Sequence, residues 1–172
     1  MPNLSSFPGG FPGGVSIRGL PVLNTHSGNI FWVSSTRGGD GNKGTQARPF
    51  ATIAYAIGRC TASNGDIIMV MEGHSETVSA AGGIACDVAG ITIVGMGVGN
   101  QRPVVNMGVA TTATITVSAA NVSWRNMRIL STFADVVTAF NVTAAGFSMV
   151  GCTGGDSAVD LNLLSMVKCT ST

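Results

Sequence analysis

The sequence predicts an all-β chain: a right-handed parallel β-helix with one short N-terminal capping α-helix and an extended N-terminal arm. Three observations carry that reading. A short segment with apolar residues at alternate positions recurs along the second half. A Gly or Asn stands just before its first three copies, and a single amphipathic helical stretch lies ahead of them all.

Residues 1–29 read as the arm. Phe7-Pro8-Gly9-Gly10 is repeated at once as Phe11-Pro12-Gly13-Gly14. Paired Gly and Pro prevent helix and interrupt strands, so this stretch cannot build a packed core alone. Two Phe side chains at regular spacing would gain nothing in a free tail. They are expected to order the arm by docking on a neighbouring subunit, the bland alternative being a floppy leader.

Residues 30–172 read as the β-helix. Ile30-Phe31-Trp32-Val33 is a short apolar strand, and a polar, turn-rich loop follows from Ser34 to Arg48. Within the loop, Asp40 and Asn42 offer one carboxylate and one amide, whereas calcium takes roughly six to eight oxygens. A turn held by Asx hydrogen bonds fits better. Pro49 to Cys60 is the convincing helix, with Phe50, Ile53, Ala54 and Ile57 forming one apolar stripe. Ser63-Asn64-Gly65 ends it with turn chemistry, and Asp66 to Met71 is a near-continuous apolar run that suits a buried parallel strand.

The recurring segments are Ile91 to Met96, Val122 to Met127, Phe147 to Cys152 and Leu164 to Cys169. Each opens with a large apolar residue, has Thr or Ser second and a large apolar residue third, and ends on Met or Cys. Alternation makes a strand with one face inward, and Gly90, Asn121 or Gly146 just before it supplies a tight bend. Recurrence after one turn would stack Ile91, Val122, Phe147 and Leu164 as an internal ladder, burying what a single coil cannot bury by itself. A β-sandwich also alternates, but it would show regular turn signals without a shared motif.

Composition narrows the function. Of 172 residues 10% are charged, against roughly 25% in a typical soluble domain. Such a chain shows Ser, Thr, Asn and Gly to water or covers its faces by assembly. The net charge of +1 comes without any basic block, which argues against nucleic acid as a partner. No apolar run approaches the roughly 20 residues of a membrane span, and the N-terminus lacks the regions of a signal peptide. Synthesis in the cytoplasm followed by assembly is expected. Cys60, Cys86, Cys152 and Cys169 have no zinc spacing and read as small apolar side chains.

Catalysis is not expected, nor is a cofactor or metal. Glycoside hydrolysis needs two carboxylates facing a sugar. The outward positions of the repeats are Thr92, Val94, Ser123, Arg125, Ser148, Val150, Ser165 and Val167, none of them acidic. Asp156 and Asp160 read as solvated loop charges, and His74 as a packing or capping residue.

Lys43-Gly44-Thr45, Pro49 to Ile53, Ala56-Ile57, Gly65 to Val70 and Glu72-Gly73-His74 together resemble the entry helix and first coil of the pectin-lyase-like β-helices. Enzymes, adhesins and virion proteins all use that fold. A narrower resemblance, carried by Phe11 to Leu23 and Ala56 to Cys60, is to bacteriophage structural proteins that join a Gly-rich arm to such a β-helix. It implies a homo-oligomer, a trimer, carried on the virion against the major capsid protein or another virion protein. It makes Phe7, Phe11, Val15, Ile17, Arg18 and Leu20 the partner-binding residues. A capsid decoration or cement protein is the expected role, with a glycan-binding tail-spike or tail-fibre segment as the alternative.

Overall fold

The computed structural model describes residues 28–158 and 161–170 in full, and the backbone of 15–17 and 20–22. In the arm, β1 (Val15–Ile17) and β2 (Leu20–Val22) pair antiparallel as a two-stranded ribbon. The body begins with β3 (Ile30–Val33), and α1 (Ile53–Ile57) follows. Four coils come next, each of three strands. They are β4 (Ile67–Val70), β5 (Ser75–Val78) and β6 (Ile84–Cys86), then β7 (Thr92–Gly95), β8 (Val104–Met107) and β9 (Ile115–Val117). The third coil is β10 (Ser123–Arg125), β11 (Arg128–Ser131) and β12 (Phe140–Val142). The fourth is β13 (Ser148–Val150), β14 (Thr153–Asp156) and β15 (Val167–Cys169).

Each body strand pairs with its counterpart one coil away, always parallel. The result is three sheets running along the stack: β3-β4-β7-β10-β13, β5-β8-β11-β14 and β6-β9-β12-β15. The chain is a β-solenoid of about four turns. No helix among the described residues is long and apolar enough to cross a membrane.

The recurring segments explain the first sheet. Thr92, Ser123 and Ser148 lie in one register column, and Ile93, Trp124 and Met149 in the next. Alternation turns the second column inward, where Ile93 and Trp124 are fully buried, as are Ile91 and Val122 just before the strands. The bends before the strands are left-handed as expected, with φ of 74° at Gly90, 58° at Asn121 and 75° at Gly146. Gly90 N donates to Ala120 O and Asn121 N to Ala145 O, so these corners stack as the strands do. Ser63 takes the same place at the first coil, with φ 58° and its N–H on Ala89 O.

Three expectations are corrected. The segment from Leu164 to Cys169 does not continue the ladder of Ile91, Val122 and Phe147. Its Val167, Lys168 and Cys169 pair with Phe140, Asn141 and Val142 in the third sheet, and Leu164 is exposed. Alternation is common to every strand of a solenoid; the hydrogen-bond partner decides the sheet. Val167 therefore faces inward beside Phe140, not outward. The helix is also shorter than Pro49 to Cys60. Phe50 N donates to Trp32 O, and Ser34 N donates to Phe50 O, which holds Phe50 in a bridge to Val33. Thr52 caps α1, its Oγ1 accepting from Tyr55 N at 3.2 Å. The buried face is accordingly Ile53, Ala56 and Ile57, while Ala54 is exposed. Finally, the outer side of the first sheet is not uniformly wet. Val94 is fully buried there with Ile67 and Met69, packed by Trp32 and Met96.

Trp124 is the largest fully buried side chain, and its ring meets Phe140 edge-on at 5.2 Å and 80°. Trp124→Ala should cost about 3–5 kcal/mol of folding free energy. Denaturant unfolding followed by far-UV circular dichroism checks this, with Trp124→Phe losing less.

Candidate functional site

Gly28 and Asn29 lead into β3, and their joint with the first coil is built around one carboxylate. Asp66, fully buried just before β4, accepts from Asn29 N at 2.6 Å, Asn29 Nδ2 at 3.2 Å and Asn64 Nδ2 at 2.7 Å. Its other oxygen accepts from Thr61 N at 2.6 Å. Ile67 N closes the joint by donating to Asn29 O. Gly28 is required here, because a Cβ on it would stand 2.5 Å from Gly65 O. Removal from water raises the Asp66 pKa, but the hydrogen bonds from Thr61, Asn29 and Asn64 outweigh it and hold the carboxyl below its usual range.

Two further carboxylates fasten the capped end. Asp40 Oδ1 accepts from Ala51 N at 2.8 Å and Thr52 N at 3.3 Å, and Oδ2 accepts from Thr52 Oγ1 at 3.3 Å. The loop is thus tied to the entrance of α1, eleven residues on, and not by a local Asx turn. Asn42 Nδ2 donates to Pro49 O at 2.8 Å. Glu76 points inward on β5, where its Oε2 accepts from Ile53 N at 2.8 Å and lies 3.2 Å from His74 Nε2. His74 is buried against it. Asp156 is also engaged, Oδ1 accepting from Leu163 N at 2.9 Å, so it is more than a solvated loop charge. Asp160 lies outside the described residues.

The sequence-based site residues are divided. Phe7, Phe11 and Arg18 lie outside the described residues. Val15 and Ile17 fall on β1 and Leu20 on β2, whose side chains also lie outside them. Asp66 was missed as the arm's anchor; the signal available was an Asp in an otherwise apolar run. Beside the joint, Phe31, Asn42, Lys43, Phe50, Tyr55 and Arg59 line a cleft of about 410 Å³. Phe50 packs between Phe31 and Tyr55, with centroids 5.7 and 5.0 Å away. No group of three or more His, Cys, Asp or Glu among the described residues could hold a metal ion.

The fold defines a class, the parallel β-solenoids. Beyond that class, no protein-family model matches the chain, and searches of curated proteins and of solved structures find no match.

Two predictions follow from the buried groups. A carboxyl whose pKa is lower folded than unfolded stabilises the fold above its ordinary value of 3.8 and loses that contribution as pH falls through the folded value. Asp66→Asn should therefore unfold more easily at neutral pH, by roughly 2–3 kcal/mol, and show a shallower loss of stability in acid than the parent. Urea titrations at several pH values measure both. Burial pushes the Cys86 thiol up to about 12, and burial with nearby Asp66 does the same to Cys60. Cys152 is also raised, chiefly by burial, whereas Cys169 is exposed. A maleimide at neutral pH should label Cys169 first in the native protein and all four cysteines after denaturation, as read by mass spectrometry.

Proposed function

We propose that this chain is a non-enzymatic bacteriophage virion structural protein: a capsid decoration or cement protein, docked through its N-terminal arm on the major capsid protein. It would be made in the host cytoplasm and act on the virion as a homo-oligomer, a trimer. The observation that carries this reading is the joint at Asp66. Four hydrogen bonds on one buried carboxylate fix the point where the arm leaves the body, beside the helix-capped end of the solenoid. A joint so firmly held suits an arm that transmits load to a partner. The Phe-Pro-Gly-Gly repeat supplies what such an arm would dock.

The use of the acids supports a structural role. Asp40, Asp66, Glu76 and Asp156 are all committed to backbone N–H groups, which leaves them poorly placed to serve as acid or base on a substrate. A second reading, a tail adhesin segment that binds host glycan, is favoured by the cleft of Phe31, Tyr55, Lys43 and Arg59, where a sugar could stack on an aromatic ring.

Antibody labelling of intact virions, viewed by electron microscopy, tests the proposal. Label over the head is the expected result, and the double variant Phe7→Ser, Phe11→Ser should fold normally yet be lost from particles. Label confined to the tail would move the adhesin reading to first place. No label on any particle would sink both.

A further inference from the structure

The corner between the second and third sheets carries apolar side chains that the core does not use. Val109 and Phe133 sit there, 68% and 37% exposed, as do Val137 and Leu164 at 51% and 63%. They are not scattered. Thr132 N donates to Met107 O, which stacks Thr132 on Gly108 and so Phe133 on Val109. Val137 N donates to Thr111 O and Leu164 N to Val136 O, which puts Leu164 directly over Val137. The result is two columns on successive coils, an apolar ridge at one corner. Val109 holds φ 76°, a conformation that a β-branched residue rarely adopts. Single exposed apolar residues need no explanation, but four gathered at one corner, on a chain this poor in charge, mark a contact surface.

Charge says what the ridge meets. From residue 129 to 167 the sequence has no Lys or Arg; exposed Asp135 lies between Phe133 and Val137, and exposed Asp156 accepts from Leu163 N, next to Leu164. The corner at the other edge of the second sheet is the opposite. Arg102 donates to Gly151 O and Thr153 Oγ1, Arg128 donates to Asn100 O, and Arg37 Nη2 lies on Met71 Sδ. Each partner is uncharged, and Glu72 is the acid on that corner's turn. Val98, 69% exposed, stands among them. One corner is apolar and anionic; the other combines an exposed valine with three arginines.

We infer that the ridge is a self-association surface and that its occupant is the arginine-bearing corner of a second copy of this chain. The two patches are different and lie at the two edges of one sheet. Repeating the contact is therefore head-to-tail, and each added copy offers one free patch to the next. The inference deepens the oligomer assumed in the proposed function but stands on separate residues.

Light scattering on the full-length chain after size exclusion, with no virions present, reads the result. The parent should run at a multiple of 17.4 kDa and dissociate as salt is raised. Phe133→Asp with Val137→Asp should be monomeric, with an unchanged melting curve to show that it still folds. Arg102→Asp should weaken assembly, and Asp135→Arg added to it should restore assembly in part. The Phe7→Ser, Phe11→Ser variant should keep the parent's mass. A parent that is monomeric throughout, or a folded ridge variant that assembles like the parent, overturns the inference. Neither outcome decides whether the arm binds a virion.

Discussion

Body strands take their backbone hydrogen bonds from neighbouring coils, on both sides within the stack and on one side at its ends, and that single constraint governs the rest of the molecule. Side chains that point inward must then stack on their own counterparts. In the first sheet the column runs Phe31, Ile68, Ile93, Trp124 and Met149. These residues differ widely in volume, so neighbouring positions must compensate. Gly95 does so: a Cβ there would stand 2.4 Å from Asn126 O and 2.9 Å from Met127 Sδ. Gly154 does so again, in space taken by the Met166 side chain. Packing of this kind tolerates no empty volume, which is why the large ring of Trp124 needs Phe140 beside it.

The same constraint explains how the chain manages with so few charges. Inside the stack, neighbouring coils satisfy each other's backbone groups. At the capped end there is no coil below, and loop and helix termini are left with N–H groups to satisfy. Asp40, Asp66 and Glu76 are placed there, accepting from Ala51, Thr61 and Ile53. Three of the chain's 8 acidic side chains are thus placed where repetition fails. Each is a strong acceptor for a donor that would otherwise be buried without a partner.

Much of the first sheet was legible in the sequence, because three of its strands share one motif and one left-handed bend. β3 and β4 were legible as apolar runs. The second and third sheets were not. Inward positions of the second sheet include Glu76, Ser131 and Gly154, which break any hydrophobic period, while the strands of the third sheet keep the period but are only 3 residues long. The assignment of Leu164 to Cys169 to the repeat failed for a related reason: a three-residue strand carries too little pattern to say which sheet it joins. The joint at Asp66 was illegible for another. Its partner Asn29 is 37 residues away in sequence, and only the stack brings the two together. The apolar ridge is likewise a product of register, since Val137 and Leu164 look unrelated until one coil is laid on the other.

Arm joint and ridge lie on different parts of the solenoid, the first beside the capped end and the second on the corner of the later coils. Neither contact would therefore block the other. That separation matters for a surface protein anchored by short, Gly-rich arms. One such arm pays a large ordering entropy and binds weakly by itself. Joined copies would present several arms at once, and each arm that engages would raise the effective concentration of the next. Weak individual docking then becomes durable attachment without any added contact to the partner. On the proposed reading the corner that would join copies and the arm that would dock on a particle are two halves of one device, and a change that separates the copies would loosen attachment even with the arm intact.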